Sequence, residues 1–240
     1  LTVREPPRRG LSANDVQAIA LREVVDYLWS RRRAYGGHII GVSIFIMVVY
    51  ALNLWGPTYL IRTFGYTRPE AGWVFGIVMI VAGTSGLLLA GFIADSWMKR
   101  GVNDAYVRTI IVSIVGLLPC ALMMGFATSD VVGIAAISLA VFFSAFQGGL
   151  SGGTLALMTP NRMRGQATAV FQLFANLIGL ALGPTVVAMT TDYIFGYDAA
   201  IGKSIALCAA VLCPLGGYIL WRSLAAIRTE VQAQNSVMSA

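Results

Sequence analysis

Gly149-Leu150-Ser151-Gly152-Gly153 has the G-x-S-x-G spacing that elsewhere raises a nucleophilic serine on a strand-to-helix turn. Its base would have to be His38, the one histidine in the chain. The motif lies inside a long apolar run, however, and His38 lies at the start of a different one. A working pair needs both at one depth, which is not expected, and His38 is expected at an interface. Cys120, Cys208 and Cys213 also lie inside apolar runs, with neither a disulfide framework nor metal-ligand spacing. No G-x-x-x-x-G-K-[ST] phosphate loop occurs, so neither ATP-driven chemistry nor a cofactor is expected, and the chain does not read as an enzyme. What remains are neutral polar and aromatic side chains inside apolar runs: Tyr50, Asn53, Trp55, Thr84, Ser85, Gln147, Phe171, Gln172 and Asn176. Such groups hydrogen-bond a solute or one another.

The runs that position them cross a membrane. The chain is 57% hydrophobic and 12% charged, with mean hydropathy +0.74. Globular proteins carry about 25% charged residues. Marking every Asp, Glu, Lys and Arg leaves six charge-free windows: 34–61, 71–94, 109–129, 131–161, 165–191 and 204–221. About 20 residues of helix span a hydrocarbon core of roughly 30 Å, and backbone groups in lipid must be paired within their own segment. An all-α integral membrane fold follows, with spans at about 36–61, 70–94, 107–128, 131–158, 165–190 and 200–222. Polar residues near mid-membrane fall in spans one, two, four and five. Spans three and six have little beyond Ser113 and Ser204 near their ends.

Lys and Arg set the orientation. Of the 17, 14 fall on the side shared by both termini and 3 on the other. Both termini are therefore expected in the cytoplasm, with the bundle in a bacterial inner membrane. The net charge of +6 follows this topology and not a nucleic-acid partner. Residues 1–33 form a cytoplasmic linker. Its basic, proline-rich Arg4–Gly10 precedes apolar residues at helical spacing from Ser12 to Trp29, read as an amphipathic helix on the membrane surface, capped by Ser12 or Asn14. Arg31, Arg32 and Arg33 follow it, facing anionic lipid. Residues 34–222 are the six-helix bundle, and 223–240 a polar tail expected to fray. The chain opens on Leu1 without a signal-peptide pattern and reads as part of a longer protein or a truncated frame.

Gly91, Asp95, Lys99 and Arg100, in the short charged loop between spans two and three, have a recognisable spacing. They resemble the G-x-x-x-D-[RK]-x-G-[RK]-[RK] signature that follows the second helix of each half of major facilitator superfamily transporters. Ser96 and Met98 stand where the stronger first-half copy has a base and a glycine, as in second-half copies. Thr159–Pro184 resembles the junction of helices ten and eleven, with Pro160, Arg164, Gly165, Asn176, Gly179, Gly183 and Pro184 in place. Thr190–Gly196 and the opening VREPPRRG are similar to the spinster-like branch. The resemblance covers helices seven to twelve, the C-terminal half, and implies that seven, eight, ten and eleven line a cavity.

On this reading Tyr50, Asn53, Trp55, Gln147, Phe171, Gln172 and Asn176 form a substrate cavity. Gly91, Asp95, Lys99, Arg100 and Arg164 form a cytoplasmic gate, with Asp95 pairing to Lys99, Arg100 or Arg164. Gly72/Gly76, Gly149/Gly153 and Gly179/Gly183 are expected to allow close helix approach. Pro57 and Pro184 are expected to bend spans near their outer ends. The implied function is half of a secondary transporter, moving a small or amphipathic organic solute by alternating access. Its partners are membrane lipid, the solute, and an N-terminal six-helix half or second copy. With no carboxylate at mid-membrane, a coupling proton would titrate a group in that other half. The alternative is a non-transporting scaffold or sensor derived from a transporter.

Overall fold

The computed structural model describes residues 20–239. The linker Arg4–Gly10 and the caps expected at Ser12 or Asn14 lie outside them. Every regular element among the described residues is a helix. A short α1 (Leu21–Ser30) precedes six long helices. Five are α2 (Arg32–Phe64), α3 (Arg68–Lys99), α4 (Ala105–Phe126), α5 (Asp130–Met158) and α6 (Arg164–Phe195). The sixth, α7 (Ile201–Ser239), is entered through a 3-10 turn at Asp198–Ala200. All six are long and apolar enough to cross a membrane, so the six-span all-α architecture expected from the charge-free windows is the one observed.

Local chemistry sets the boundaries. Gly65 ends α2 in the left-handed region at φ 77°. Thr67 then caps α3 in a reciprocal box with Glu70: the Thr67 N–H donates to the Glu70 carboxylate at 2.9 Å, and the Glu70 N–H donates to the Thr67 hydroxyl. Ser129 caps α5 through the Val132 N–H, and Gly196 closes α6 at φ 74°.

The bundle is built around α2. Within its most apolar stretch 67% of residues are buried, against 22% for α3 and 33% for α6. The neighbours reach α2 through glycines. A Cβ on Gly41 would sit 2.8 Å from Leu220 of α7, and one on Gly216 of α7 would sit 2.9 Å from the Gly41 carbonyl. On the other side Gly183 of α6 lies against the backbone of Met47, where a Cβ would come within 2.9 Å of the Met47 Cα. Of the three expected glycine pairs, Gly179/Gly183 makes this approach, on Ile46, Tyr50 and Met47. Gly72 and Gly76 face nothing within 4 Å, because they lie on the less buried α3. Gly153 seats the Tyr106 ring, whereas Gly149 serves a break in α5 at φ 75°.

The tail differs from expectation. It does not fray at Ser223 but continues α7 as helix to Ser239. Leu220, Ile227 and Val231 are buried at helical spacing, with Leu224 packed beside them. They join one core cluster with Val24 and Leu28 of α1. The buried stripe of α1 therefore faces protein, while Leu21, Val25 and Trp29 point outward at 61%, 47% and 70% exposure. Apolar burial outweighs the polarity of the tail.

Gly183→Ala is expected to lower the unfolding midpoint of the detergent-solubilised protein, since overpacking against a fixed backbone costs about 1–3 kcal/mol. Gly76→Ala meets open space and is expected to leave the midpoint unchanged or raise it, as alanine suits a helix interior better by about 0.5–1 kcal/mol. Thermal unfolding followed by circular dichroism separates the two.

Candidate functional site

The polar residues singled out in spans one and five come together. The Tyr50 hydroxyl of α2 donates to Asn176 Oδ1 of α6 at 3.0 Å, and Asn176 Nδ2 donates back to the Gln172 carbonyl at 2.8 Å. Gln172 and Asn176 both lie on an uncovered face of α6. Further along, Trp55 Nε1 donates to the Pro184 carbonyl at 2.9 Å. Asn53 lies one turn from Tyr50, half-buried, and its Oδ1 is enclosed without a hydrogen-bond partner among the described residues. An unpaired buried acceptor is costly, about 1–3 kcal/mol. Gln147 is half-buried in α5, and no hydrogen bond joins it to the Tyr50–Asn176 pair among the described residues.

Helix geometry changes where these side chains sit. A π-helical segment at Met79–Gly83 interrupts α3 immediately before Thr84 and Ser85. A second, Ala175–Leu180, interrupts α6 and contains Asn176. In α5 the α-helix stops at Ser144, passes through a 3-10 turn at Ala145–Gln147 that contains Gln147, and restarts at Leu150. Short π segments are rare and concentrate at functional sites. In a membrane, broken helices are tolerated where they are buried in protein or line a water-filled cavity. The sequence carried Gly83, Gly148, Gly149 and Gly179 at these places, but their effect on helix winding was not legible.

Three expectations need correction. Phe171 does not line an open face: it is 2% exposed and packs on His38, ring centroids 5.8 Å apart. Nor is His38 interfacial; it is fully buried, and its Nε2 lies 2.9 Å from the Ser151 carbonyl oxygen. The two residues thus do share a depth. Because the acceptor is a backbone carbonyl, Nε2 carries the proton, and the bond ties α2 to α5 without activating the Ser151 hydroxyl. The His38 Nδ1 has no hydrogen-bond partner among the described residues. Finally, Asp95 makes no ion pair with Lys99, Arg100 or Arg164 among the described residues. Asp95, Lys99 and Arg100 are exposed, and the Arg164 Nε–H donates to the Thr159 carbonyl at 3.0 Å. Gly91 is half-buried, with nothing within 4 Å of where its Cβ would be.

The acid that is engaged at this end is Asp104, nine residues further on, in the loop between α3 and α4. Its side chain is 1% exposed, with Oδ1 accepting from Arg108 at 3.0 Å and Oδ2 from Arg228 of α7 at 2.9 Å. Burial pushes the Asp104 carboxyl up, but the hydrogen bonds and charges of Arg228 and Arg108 outweigh this and hold it below the usual carboxylate range. Beside it, Arg31 pairs with Glu230 at 3.1 Å and lies 4.0 Å above the Tyr27 ring. Sequence reasoning missed Asp104 and Arg228, since i,i+4 spacing suggests Arg108 but nothing local points to a residue 124 positions away. No cluster of three or more potential metal ligands occurs among the described residues.

Six long apolar helices, five of them packed around α2, with neutral polar groups at irregular turns within them, define a polytopic integral membrane protein. Residues 1–184 match the Major Facilitator Superfamily, and the chain belongs to that family. It is 27% identical over 204 residues to an MFS-type efflux pump of Mycolicibacterium smegmatis, covering 80% of this chain and 45% of the relative. To a D-galactonate transporter of Escherichia coli it is 23% identical over 210 residues, covering 87% of this chain and 46% of the relative. Both relatives are transporters, and the chain spans less than half of their length. Its fold is similar to that of a bacterial homologue of the human lysosomal transporter Spinster, in an inward-facing and unoccupied conformation. That match has TM-score 0.64 at 16% identity and covers 96% of this chain and 54% of the other. The same homologue in its occupied conformation matches with TM-score 0.56, covering 85% of this chain.

Asp104→Asn removes the charge from a site bonded to two arginines and is expected to lower stability by about 1.5–3 kcal/mol, the range for hydrogen bonds to charged groups. Because the folded carboxyl titrates below its unfolded value, the stabilisation is present above the unfolded value of about 3.9 and is lost as pH falls through the folded one. The difference in unfolding midpoint between parent and variant is therefore expected to hold from neutral pH down to about 5, and to close below about 4.

Proposed function

We propose that this chain is one six-helix half of a secondary transporter that moves a small or amphipathic organic solute by alternating access. Its helices correspond to seven to twelve of the full fold. The observation that carries the reading is the coincidence of polar side chains with irregular backbone. Asn176 sits in a π segment, Gln147 in a 3-10 break, and Thr84 and Ser85 directly after a second π segment. Gln172 and Asn176 are uncovered within a span. Amides facing hydrocarbon are costly, whereas a second six-helix unit closing over α3 and α6 would turn the same face into a hydrated cavity.

In that assembly Tyr50, Asn53, Gln147, Gln172 and Asn176 contact solute, and Trp55 fixes the outer ends of α2 and α6 against each other. The second unit is an N-terminal half or another copy. A coupling proton is assigned to that unit, since these spans hold no mid-membrane carboxylate. The basic end faces the cytoplasm of a bacterial inner membrane, supported by the 14-to-3 division of Lys and Arg. The relatives' names suggest D-galactonate as a first solute to try, and export as well as uptake as directions to test.

In liposomes, the chain joined to six further spans is expected to take up D-galactonate or extrude a cationic dye, while the monomeric chain does neither. Robust transport by the monomer would overturn the half-transporter reading. Asn53→Ala, Gln147→Ala and Asn176→Ala in the joined protein are each expected to lower transport about fivefold, the equivalent of one hydrogen bond of ~1 kcal/mol. If all three transport like the parent, the cavity assignment fails. Asp95→Asn is expected to change the labelling rate of an Asn53→Cys variant while leaving the unfolding midpoint within about 0.5 kcal/mol, as befits an exposed charge. Identical labelling would remove Asp95 from the gate.

A further inference from the structure

At the basic end of the bundle, an open cleft of about 850 Å³ lies between the start of α2 and the part of α7 that leaves the membrane. Its lining includes Arg32, Arg33 and Arg222, with Tyr218, Gly37 and Ser223. The concavity arises where α2 and α7 meet through small residues: a Cβ on Gly37 would lie 2.5 Å from that of Ser223. A smaller adjoining cleft of about 410 Å³ shares Arg32 and Arg33 and ends at Arg31 and Glu230.

The charges in this place are unequal. The one acid, Glu230, is taken by Arg31 at 3.1 Å. Arg32, Arg33 and Arg222 are exposed, and none has an ion pair or hydrogen bond among the described residues. The Ser223 and Thr229 hydroxyls are spent on the Leu220 and Ala225 carbonyls, whereas the Tyr218 hydroxyl has no partner among the described residues. Three guanidiniums without a counter-charge among the described residues repel one another, and their planar forks match the oxygens of a phosphate.

The depth of the cleft says which phosphate. Arg32 and Arg33 immediately precede the first charge-free window and Arg222 immediately follows the last, so all three lie at one membrane boundary. Tyr218 and Trp221, 56% and 62% exposed, mark the same interface. From Arg222 toward mid-membrane, Tyr218, Leu215 and Val211 follow at helical spacing, with Leu215 and Val211 exposed at 46% and 59%. On α2, Ile40 is exposed at 49%, seven residues beyond Arg33. A headgroup in the cleft would have acyl chains running along this apolar stripe, whereas a free phosphate would make no use of it.

We propose that this cleft is a binding site for an anionic diacyl phospholipid, with its phosphate held by Arg32, Arg33 and Arg222 and its chains lying along α2 and α7. Through Arg31 and Glu230 the lipid would abut the contact that holds the end of α7 against the α1–α2 junction.

Native mass spectrometry of the full chain, released from detergent after incubation with phosphatidylglycerol or phosphatidylcholine of matched chains, tests this. One retained phosphatidylglycerol per chain is expected, in clear preference to phosphatidylcholine. Arg222→Gln is expected to reduce its retention about fivefold, and Arg32→Gln with Arg33→Gln more strongly, from the usual contribution of a basic residue near anionic lipid. Arg68→Gln, the same charge change at the opposite end, is expected to have no effect. Circular dichroism and monodispersity confirm folding of each variant, and the single Arg222→Gln variant suffices if the double one does not fold. Equal loss in Arg68→Gln would reduce the effect to net charge and overturn the site. Equal retention of phosphatidylcholine would overturn the phosphate contact, and displacement of phosphatidylglycerol by millimolar inorganic phosphate would overturn the lipid assignment.

Discussion

The fold depends on how closely two helices approach the backbone of α2. Gly41 and Gly216 bring α7 in on one side, and Gly183 brings α6 against Met47 on the other. In lipid there is little hydrophobic force between helices, so association rests on close van der Waals packing and on hydrogen bonds between spans. The bonds follow the same geometry. Tyr35 donates to the Met158 carbonyl at 2.7 Å, Tyr59 to the Met124 carbonyl at 3.0 Å, and Ser113 to the Phe143 carbonyl at 2.6 Å. Each reaches a carbonyl in another span, which requires side chain and backbone to lie at one depth. With α2 fixed this tightly, the uncovered area of the bundle falls on α3 and α6.

Those two helices carry the π segments. A helix packed on all sides must keep a regular surface to fit its neighbours. One with an open face can absorb a local widening, and in doing so re-aims the side chains within it. Asn176 is turned so that its amide bridges Tyr50 and its own helix backbone. The exposure of Gln172 and Asn176 thus follows from packing asymmetry as much as from residue choice, and the enclosed Asn53 Oδ1, without a hydrogen-bond partner among the described residues, lies one turn from Tyr50.

The basic end is held by a different kind of contact. Buried Asp104 joins the α3–α4 loop to α7 through Arg228, and Glu230 joins α7 to Arg31. These bonds lock the extended end of α7 into the protein, and among the described residues they leave Arg32, Arg33 and Arg222 as cations without ion-pair partners around the cleft. Asp95, near the end of α3, remains exposed beside this network and makes no ion pair among the described residues.

Much of the architecture was legible in residue order alone. Charge-free windows determine six helices because lipid admits no unpaired backbone, and the spacing of Gly91, Asp95, Lys99 and Arg100 with Thr159–Pro184 pointed to the family. Tyr50, Asn53, Gln172 and Asn176 were recognisable as candidates because polar groups in spans are costly. Tertiary structure alone decided the rest. It put Phe171 in the core, brought His38 to the Ser151 carbonyl, and paired Asp104 with Arg228. It also kept the tail helical, although Leu224, Ile227 and Val231 carried a spacing that was open to reading. The physical reason is that composition and periodicity report how one segment meets lipid or water. Which carbonyl a histidine reaches, or which arginine an aspartate holds, depends on the depth and rotation of two helices relative to each other, set by glycine contacts far away in sequence.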